Sequence, residues 1–413
     1  MSQQKNEPKP AKKSTVQQTA LKSFFDLVSR LTQGRLVVLW VAILLGVFAA
    51  QAVTSMTQKS GTWDETAHLP AGYSYLKTGD FRMNAEHPPL AKMIAGAPLL
   101  FLNIDGRFDT QAWKDGNEWE YGRELLFGGK NDAYKIFFWG RLPVVILGMC
   151  LGLLIFFWAR DLYGNGAGIF ALSLFAFSPN LIAHSQLTNT DAPIAFFLLL
   201  SLYCFVRAAK RLTPLNSALG GLTLGLVILT KFSGVLMLSI LVVTALVRVF
   251  DRAPIEVRVF NAPNAATWRG KILALAILLF VMMIFAYGVI WAGYGFRFAA
   301  RTDGAVEKLW FSQPHDKPSG IFNLLLDKRL LPQAYIEGFA YVRVTMARRS
   351  FLDGEHNWSS GPKLKSWPHY FIMTSLYKTP VPMLLFFAMA ALMVFRWSRK
   401  TWREEAPLAA AFI

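Results

Sequence analysis

The sequence predicts an all-α membrane protein: a polytopic bundle of transmembrane helices, with interfacial helices in two large extracytoplasmic loops. Of its 413 residues, 54% are apolar and only 17% are charged, and the mean hydropathy is +0.33. A soluble domain has about 45–50% apolar and about 25% charged residues, so this composition argues against a soluble enzyme and against a disordered tail protein. The net charge of +17 on so apolar a chain indicates basic cytoplasmic loops rather than nucleic-acid binding.

Eight apolar runs, extended at their ends by Ser, Thr and Gly, are candidate spans. They lie at 36–53, 136–158, 167–182, 192–206, 218–229, 234–246, 272–292 and 381–395. Residues 1–35 contain seven Lys or Arg, which predicts a flexible basic cytoplasmic tail. The first run exceeds the roughly 7–15 apolar residues of a signal peptide, so we expect an uncleaved anchor. Residues 36–405 form the transmembrane domain, and 406–413 are expected to begin a further, incomplete span.

The distribution of charge predicts the topology. With the N-terminus in the cytoplasm, every short loop on the cytoplasmic side is basic, as the positive-inside rule requires. The long loops, at about 54–135 and 293–380, are then extracytoplasmic, and all six histidines lie on that side or at its membrane edge. ATP and nucleotide sugars are absent there, and the sequence has no Walker-type or dinucleotide-binding glycine motif. Any group that the protein transfers must therefore come from a carrier already in the membrane.

Cysteine usage and loop length indicate the compartment. Cys150 and Cys204 both lie inside apolar runs, so we expect buried free thiols rather than a disulfide or a zinc site. Short loops and the lack of a eukaryotic targeting signal favour a multi-pass protein of a bacterial inner (plasma) membrane.

Adjacent carboxylates, Asp64 and Glu65, follow the first span. Partial desolvation at the water–lipid boundary raises the pKa of a carboxyl group toward that of a useful general base. His68 comes three residues after Glu65 and would share its face of a helix. Two interpretations stay open: a catalytic cluster, or an acidic helix start in which Thr62 and Glu65 form a capping box.

The same loop continues with Glu86-His87-Pro88-Pro89-Leu90-Ala91-Lys92. The paired prolines interrupt the preceding structure, so a new element begins after them. The apolar run at 90–102 is too short to span the membrane. We therefore expect an interfacial helix beside a site that takes its substrate from the lipid. Hard divalent cations prefer carboxylate oxygens. A metal held by Glu86 and His68 is therefore a hypothesis, although the spacing matches no diagnostic motif.

Further motifs follow in order along the chain. They are Arg141-Leu142, Leu162-Tyr163-Gly164, Ser178-Pro179, His184-Ser185, Asp191-Ala192-Pro193, Thr230-Lys231-Phe232 and Trp367-Pro368-His369-Tyr370-Phe371. Together with the motifs of the first loop, this ordered set resembles the GT-C superfamily of membrane glycosyltransferases. The resemblance is to the family 39 branch, which includes protein O-mannosyltransferases and the aminoarabinose transferase that acts on lipid A. It covers most of 36–395, and His87 stands where the aminoarabinose transferase has a lysine.

The resemblance implies a GT-C-like catalytic domain that takes a hexosyl or pentosyl group from a polyprenyl-phosphate carrier. The acceptor would be a hydroxyl group of a protein, lipid or polysaccharide outside the membrane. Asp64 matches the essential carboxylate of the family and would act as the base, with Glu65 beside it as the second catalytic carboxylate. Glu86, Asp191 and Lys231 match an acidic residue before the paired prolines and an acid and a base at the outer ends of two spans.

The phosphate leaving group needs cations rather than a general acid. Candidates for binding it are Lys231, Arg141 and His87, and the predicted donor site also includes Lys92, Trp367 and Tyr370. An Arg inside a span, such as Arg141, is a functional candidate by default, but it can also snorkel to the headgroups. Asp191 either caps its helix or pairs with Lys231, and an ion pair between these two helix ends satisfies both interpretations. Direct displacement with one base predicts inversion at the anomeric carbon.

Two other classes of protein are alternatives. A transporter or lipid flippase would carry ionisable residues in the middle of its spans and would show repeated, interrupted helices. In this sequence the ionisable residues lie at the outer ends of the spans. A non-catalytic assembly subunit would keep the spans, but it would not need to keep Asp64, Glu86 and Lys231 together.

Overall fold

The computed structural model describes residues 32–259, 262–309, 320–346, 369–396 and 405–408. In chain order its α-helices are α1 (Arg35–Met56), α2 (Trp63–Thr78), α3 (Leu90–Gly96), α4 (Gln111–Asp115), α5 (Glu118–Phe127), α6 (Ala133–Tyr163), α7 (Asn165–Ala176), α8 (Pro179–Ser185), α9 (Asp191–Lys210), α10 (Pro214–Thr230), α11 (Met237–Val249), α12 (Trp268–Gly293), α13 (Gly320–Asp327), α14 (Gln333–Met346), α15 (Tyr370–Lys378) and α16 (Val381–Arg396). The 3-10 helices Ala97–Phe101 and Phe232–Leu236 continue α3 and precede α11. Two short strands, β1 (Arg211–Leu212) and β2 (Glu256–Val257), pair in parallel.

Within these residues, five helices are long and apolar enough to cross a membrane. They are Arg35–Met56, Ala133–Tyr163, Asp191–Lys210, Phe232–Val249 and Trp268–Gly293. Each contains one of the eight predicted runs, so the prediction of an all-α, multi-pass membrane bundle is confirmed. The two cysteines are free, as predicted, but both are half-buried rather than buried. Residues 1–31 and 409–413, on which the predicted tail and incomplete span depend, lie outside the described residues.

The other three predicted runs are not single straight spans. The third is a pair of helices, α7 and α8, bent by 66°. The eighth lies within the 16-residue helix α16, and the segment Val381–Ala390 of that helix is bent by 118° from the preceding segment Ile372–Lys378. A proline lies at each bend: Pro179 begins α8, and Pro380 lies between the two later segments. Proline cannot donate the hydrogen bond that would continue a helix. The fifth run is α10, an apolar helix of 17 residues.

Small residues bring α10 against α12. A Cβ atom at Gly221 would lie 2.5 Å from the Cβ of Phe285, and one at Gly225 would lie 2.5 Å from the Cβ of Val289. The two glycines are four residues apart and therefore form one flat strip, which is the GxxxG arrangement that lets membrane helices approach closely. The opposite face of α12 exposes Leu273 and other large apolar side chains, as expected of a surface in contact with lipid.

The two long loops fold into one outer layer over the bundle. In the first loop, residues 67–75 of α2 are all buried. The apolar run at 90–102 does not span; it forms α3 and the 3-10 helix Ala97–Phe101, as predicted. The second loop joins the first through a hydrogen bond from Phe81 N to Ala300 O (2.8 Å). In α14, Gly338 lies so close to Ala85 O that an added Cβ would be 1.9 Å from it.

Within the outer layer, α2 and α3 cross at Gly72. A Cβ atom there would lie 1.9 Å from the carbonyl oxygen of Lys92, and a Cβ at Gly96 would lie 2.6 Å from the carbonyl carbon of Gly72. The obstructing atoms belong to the backbone, so no change of rotamer can relieve the clash. Glycine is therefore required where the two helices cross.

We expect Gly72→Ala to lower the free energy of unfolding by about 1–3 kcal/mol, because the methyl group must push the two backbones apart. Gly46→Ala is the matched control, since a Cβ at Gly46 in α1 meets nothing within 4 Å. Thermal unfolding of the purified variants in one detergent measures the difference. Equal melting temperatures for the two variants would contradict the close crossing.

Candidate functional site

A buried ion pair joins the outer layer to the bundle. Arg141 in α6 donates from Nε to Glu65 Oε1 and from Nη2 to Glu65 Oε2, both at 2.7 Å. The remaining donors of Arg141 reach three backbone carbonyls at the end of α1 and beyond it: Met56 (2.9 Å), Lys59 (3.0 Å) and Ser60 (2.8 Å). Arginine has five N–H donors, and all five are used. We call this pair, with its carbonyl partners, the clasp.

The clasp revises two predictions. Arg141 was expected to bind phosphate or to snorkel, but its donors already have acceptors and its side chain is buried. Glu65 was expected to be catalytic, but it also accepts hydrogen bonds from Thr188 N and Thr62 N, each at 2.9 Å. Burial opposes the charge on Glu65, yet these hydrogen bonds and Arg141 keep its pKa below the usual range. Both residues are better explained as the structural support of the site.

Asp64 differs from Glu65 in its surroundings although the two are neighbours. It lies exposed in the first turn of α2, which Thr62 caps, with Glu65 accepting the Thr62 N–H as in the predicted capping box. A carboxylate in the first helical turn is stabilised by the helix dipole. Asp64 and His68 are four residues apart and therefore share a face of α2.

His68, which is buried, and His87, which is half-buried, form the floor of the site. The His68 Nδ1–H donates to Thr188 O at 3.2 Å, and the two imidazole rings meet edge to face with centroids 5.4 Å apart. Burial, with the charge of Lys92 next in importance, lowers the pKa of His68 to about 3. Burial and the neighbouring His68 likewise lower the pKa of His87. Both rings are therefore neutral at neutral pH, so His87 does not supply the positive charge expected of it.

Lys92 shapes the loop that carries Glu86 and His87. Its buried ammonium donates to Tyr75 Oη (3.0 Å), to the backbone oxygen of His87 (2.7 Å) and to both oxygens of Asn84. Asn84 has a positive φ of 43°, a conformation that costs energy for a residue other than glycine. Burial lowers the pKa of Lys92 to about 7. With so many internal acceptors, Lys92 fixes the loop, which revises the prediction that it binds the donor.

Asp191 and Lys231 form the ion pair that the sequence predicted. Lys231 Nζ lies 2.7 Å from Asp191 Oδ1 and joins the start of α9 to the residue after α10. His184 Nδ1 lies 3.3 Å from the other oxygen of Asp191. The side chains of Lys231 and Asp191 are 29% and 47% exposed. In contrast to Arg141 and Lys92, this pair remains accessible to a ligand.

Sequence reasoning missed Glu118. It opens α5 with its side chain buried, and its Oε2 has no hydrogen-bond partner among the described residues. Burial, with the charge of Glu86 next, raises its pKa to about 7, while Lys92 and Asn84 oppose the rise. No motif surrounds Glu118. The signal that could have identified Glu118 was its position directly after Asn117, a good N-cap, at the start of a short amphipathic helix.

The remaining predicted residues belong to the second loop or to the metal hypothesis. Trp367 lies outside the described residues, and Tyr370 begins α15, half-buried. No group of three or more His, Cys, Asp or Glu side chains converges in the part of the chain that the structure describes. His68 already uses Nδ1 on a carbonyl. We therefore derive no step through a metal on Glu86 and His68.

Helix α14 of the second loop covers the site. Gly338 packs on Ala85, next to Glu86, while Tyr335 and Phe339 pack on Phe232, next to Lys231, with ring centroids 5.1 and 5.3 Å away. One helix therefore contacts both segments that carry charged site residues. The result is a set of accessible charged groups around a neutral floor, beneath a lid formed by α14.

Comparison with known proteins shows which family the sequence is similar to. The family model described as dolichyl-phosphate-mannose-protein mannosyltransferase matches residues 40–300. Protein O-mannosyl-transferase 2 of the zebrafish Danio rerio is 30% identical over 157 residues, which are 37% of this chain and 18% of the relative. The structure of the S. cerevisiae protein O-mannosyltransferase Pmt1-Pmt2 complex bound to the sugar donor gives a TM-score of 0.43 at 18% identity, over 65% of this chain and 34% of that chain. The chain thus spans about a fifth of the zebrafish relative and a third of the yeast chain.

We expect Glu65→Gln and Arg141→Gln each to cost about 3–5 kcal/mol of stability, since each leaves a buried charge without its partner. The double variant should lose less than the sum. Chemical unfolding of the four proteins in detergent gives the coupling energy. Glu120→Gln, which breaks the exposed pair with Arg123, is the control and should cost at most about 1 kcal/mol. Additive losses would show that the clasp is not a coupled unit.

Acid should destabilise the protein through the buried His68. Between pH 6.5 and about 3 the unfolded chain binds a proton at His68 that the folded chain does not. Stability therefore falls as the pH falls through this window, by at most about 1.4 kcal/mol per pH unit for each such histidine. His68→Gln should flatten the fall in melting temperature between pH 7 and 5, and His369→Gln, at an exposed histidine, should not. An unchanged slope in His68→Gln would mean that His68 is protonated in the folded state.

Proposed function

Because the chain belongs to the dolichyl-phosphate-mannose-protein mannosyltransferase family, we propose that it is a membrane glycosyltransferase that uses a polyprenyl-phosphate sugar. The sugar passes to a hydroxyl group of a protein, lipid or polysaccharide acceptor. We place the reaction on the extracytoplasmic face of an inner (plasma) membrane, with the N-terminus in the cytoplasm. The positive-inside distribution of charge supports this orientation.

The contrast between Asp64 and Glu65 carries the proposal. Glu65 is buried and held by Arg141, Thr188 and Thr62, so it has no capacity to take up a proton from an acceptor. Asp64, one residue earlier, is exposed. The clasp therefore fixes the backbone beside Asp64, whose side chain is exposed. A general base needs this combination of a fixed position and access to the substrate.

In the proposed step, Asp64 accepts the proton of the acceptor hydroxyl. The hydroxyl oxygen forms a bond to the anomeric carbon, and the bond from that carbon to the phosphate oxygen breaks. The products are the glycosylated acceptor and the polyprenyl phosphate, and displacement from one side inverts the anomeric carbon. The phosphate departs as a stable anion, so no general acid is required.

Lys231 is the cation best placed to stabilise the departing phosphate. Its ammonium is partly exposed, and its partner Asp191 holds it at the outer end of the helix pair. A fixed cation of this kind stabilises charge that develops in the transition state. The neutral rings of His68 and His87 can contribute hydrogen bonds and shape but not charge. Glu86 lies on the loop that Lys92 fixes, and we propose that it contacts the donor sugar.

The test is a transfer assay with the purified full chain in lipid, a panel of radiolabelled polyprenyl-phosphate sugars and a membrane extract as the acceptor. We expect Asp64→Asn to lower transfer by about 10²–10⁴-fold, the usual contribution of a general base. Asp109→Asn is the matched control, because Asp109 is an exposed carboxylate of the same loop. Lys231→Met should also lower transfer.

Three results would distinguish the possibilities. Transfer that survives in Asp64→Asn would keep the enzyme class and refute Asp64 as the base. Binding of a donor without transfer by the wild type would indicate that the acceptor is missing from the extract. Neither binding nor transfer with any donor would favour a non-catalytic assembly subunit.

A further inference from the structure

A cavity lies at the end of the bundle that is opposite the candidate site. Its volume is about 430 Å³, and it is lined by Arg207, Lys210, Arg211, Thr213, Leu215 and Asn216. Helix α9 runs from Asp191 at the site to Lys210 at the cavity over 20 residues, which is about 30 Å at 1.5 Å per residue. Helix α10 returns from Pro214 at the cavity to the residue before Lys231. The cavity is therefore separate from the site proposed for sugar transfer.

The lining residues have a strongly positive balance. Three are cations and none is a carboxylate. Arg211 Nε lies 3.6 Å from Glu256 Oε2, on the neighbouring strand. Arg207 Nη1 donates to Tyr203 Oη at 3.1 Å, and Tyr203 in turn donates to Asp161. These neighbours orient two of the cations at the rim, while the lining itself stays positive.

The wall between α9 and α10 is held in a defined shape. Asn216 N donates to Thr213 Oγ1 at 3.0 Å, and Asn216 Nδ2 donates to Arg211 O at 2.8 Å. Strand β1 pairs with β2, and Arg258 N donates to Leu212 O at 2.9 Å. The N-terminus of the 17-residue helix α10 opens at this wall, and its dipole adds to the attraction for an anion. Several segments of the chain therefore build the cavity. Its basic residues are not a chance grouping of side chains on the surface.

The shape of the surroundings favours a lipid over a soluble anion. Leu215 lines the cavity and is 67% exposed, and Leu219 and Leu222 are exposed as well. These positions are four and three residues apart, so they form one face of α10 that leads from the cavity toward the middle of the bundle. An apolar strip that begins at a basic cavity matches a molecule with a phosphate headgroup and acyl chains. Basic pockets between membrane helices commonly bind anionic headgroups.

We infer that this cavity binds the phosphate of an anionic membrane phospholipid, with Arg207, Lys210 and Arg211 around the headgroup and the acyl chains along Leu215, Leu219 and Leu222. The volume lies within the range of about 300–1,000 Å³ that is usual for small-molecule sites. Guanidinium and ammonium groups make strong, charge-assisted hydrogen bonds to phosphate oxygens. This binding does not depend on the proposed transferase activity.

The test measures binding of phosphatidylglycerol to the purified full chain in detergent by native mass spectrometry, with phosphatidylcholine as the neutral comparison. Lys210→Gln/Arg211→Gln should weaken phosphatidylglycerol binding by about 25-fold, since each basic residue contributes about five-fold. The control Arg258→Gln/Arg269→Gln removes the same charge from exposed residues outside the cavity, and it should bind as the wild type does. Equal melting temperatures for both double variants would show that the loss of binding is not a loss of folding.

Two outcomes would overturn the inference. Equal weakening in the two double variants would mean that the lipid responds to diffuse positive charge and not to the cavity. Displacement of phosphatidylglycerol by soluble glycerol 3-phosphate at the same concentration would mean that the cavity takes a free phosphate ester and gains nothing from the acyl chains.

Discussion

The bidentate contact between Glu65 and Arg141 holds the outer layer on the transmembrane bundle. It ties together four segments: the end of α1, the start of α2, α6 at Arg141, and the loop before α9. Burying two charges is costly, and the cost is offset only when every donor and acceptor is satisfied. Here five donors of Arg141 and both oxygens of Glu65 have partners.

That contact also separates two kinds of polar group in the site. Glu65, Arg141, Lys92 and His68 are buried and fixed by internal hydrogen bonds, so they determine the shape of the site. Other groups, including Asp64, Asp191 and Lys231, are at least partly exposed and are the ones able to meet a substrate. Thr188 connects the two kinds. Its N–H donates to the buried Glu65 and its carbonyl oxygen accepts from the buried His68. Thr188 also lies three residues before the partly exposed Asp191.

The sequence allowed a good prediction of what depends on local patterns. Length and hydropathy located the spans in α1, α6, α9 and α12, and opposite charges at the outer ends of two spans predicted the pair of Asp191 with Lys231. The bend between α7 and α8 was missed, because hydropathy runs through Pro179 without a break.

The pairing of Arg141 with Glu65 was beyond the sequence. The partner of Arg141 lies 76 residues earlier in the chain, and no spacing rule connects the two. Glu118 was hidden among eleven acidic residues of the first loop, since burial and not residue type distinguishes it.

The clasp has a consequence for biogenesis. Glu65 precedes Arg141 by 76 residues and Thr188 by 123. At about 5–20 residues per second, ribosomes complete Glu65 roughly 4–15 s before Arg141 and roughly 6–25 s before Thr188. Through that interval the carboxylate lacks Arg141 and Thr188, two of the three residues that hold it in the folded protein. The outer layer therefore closes only after the helices as far as α8 have been synthesised, and the nascent first loop waits open for its partners.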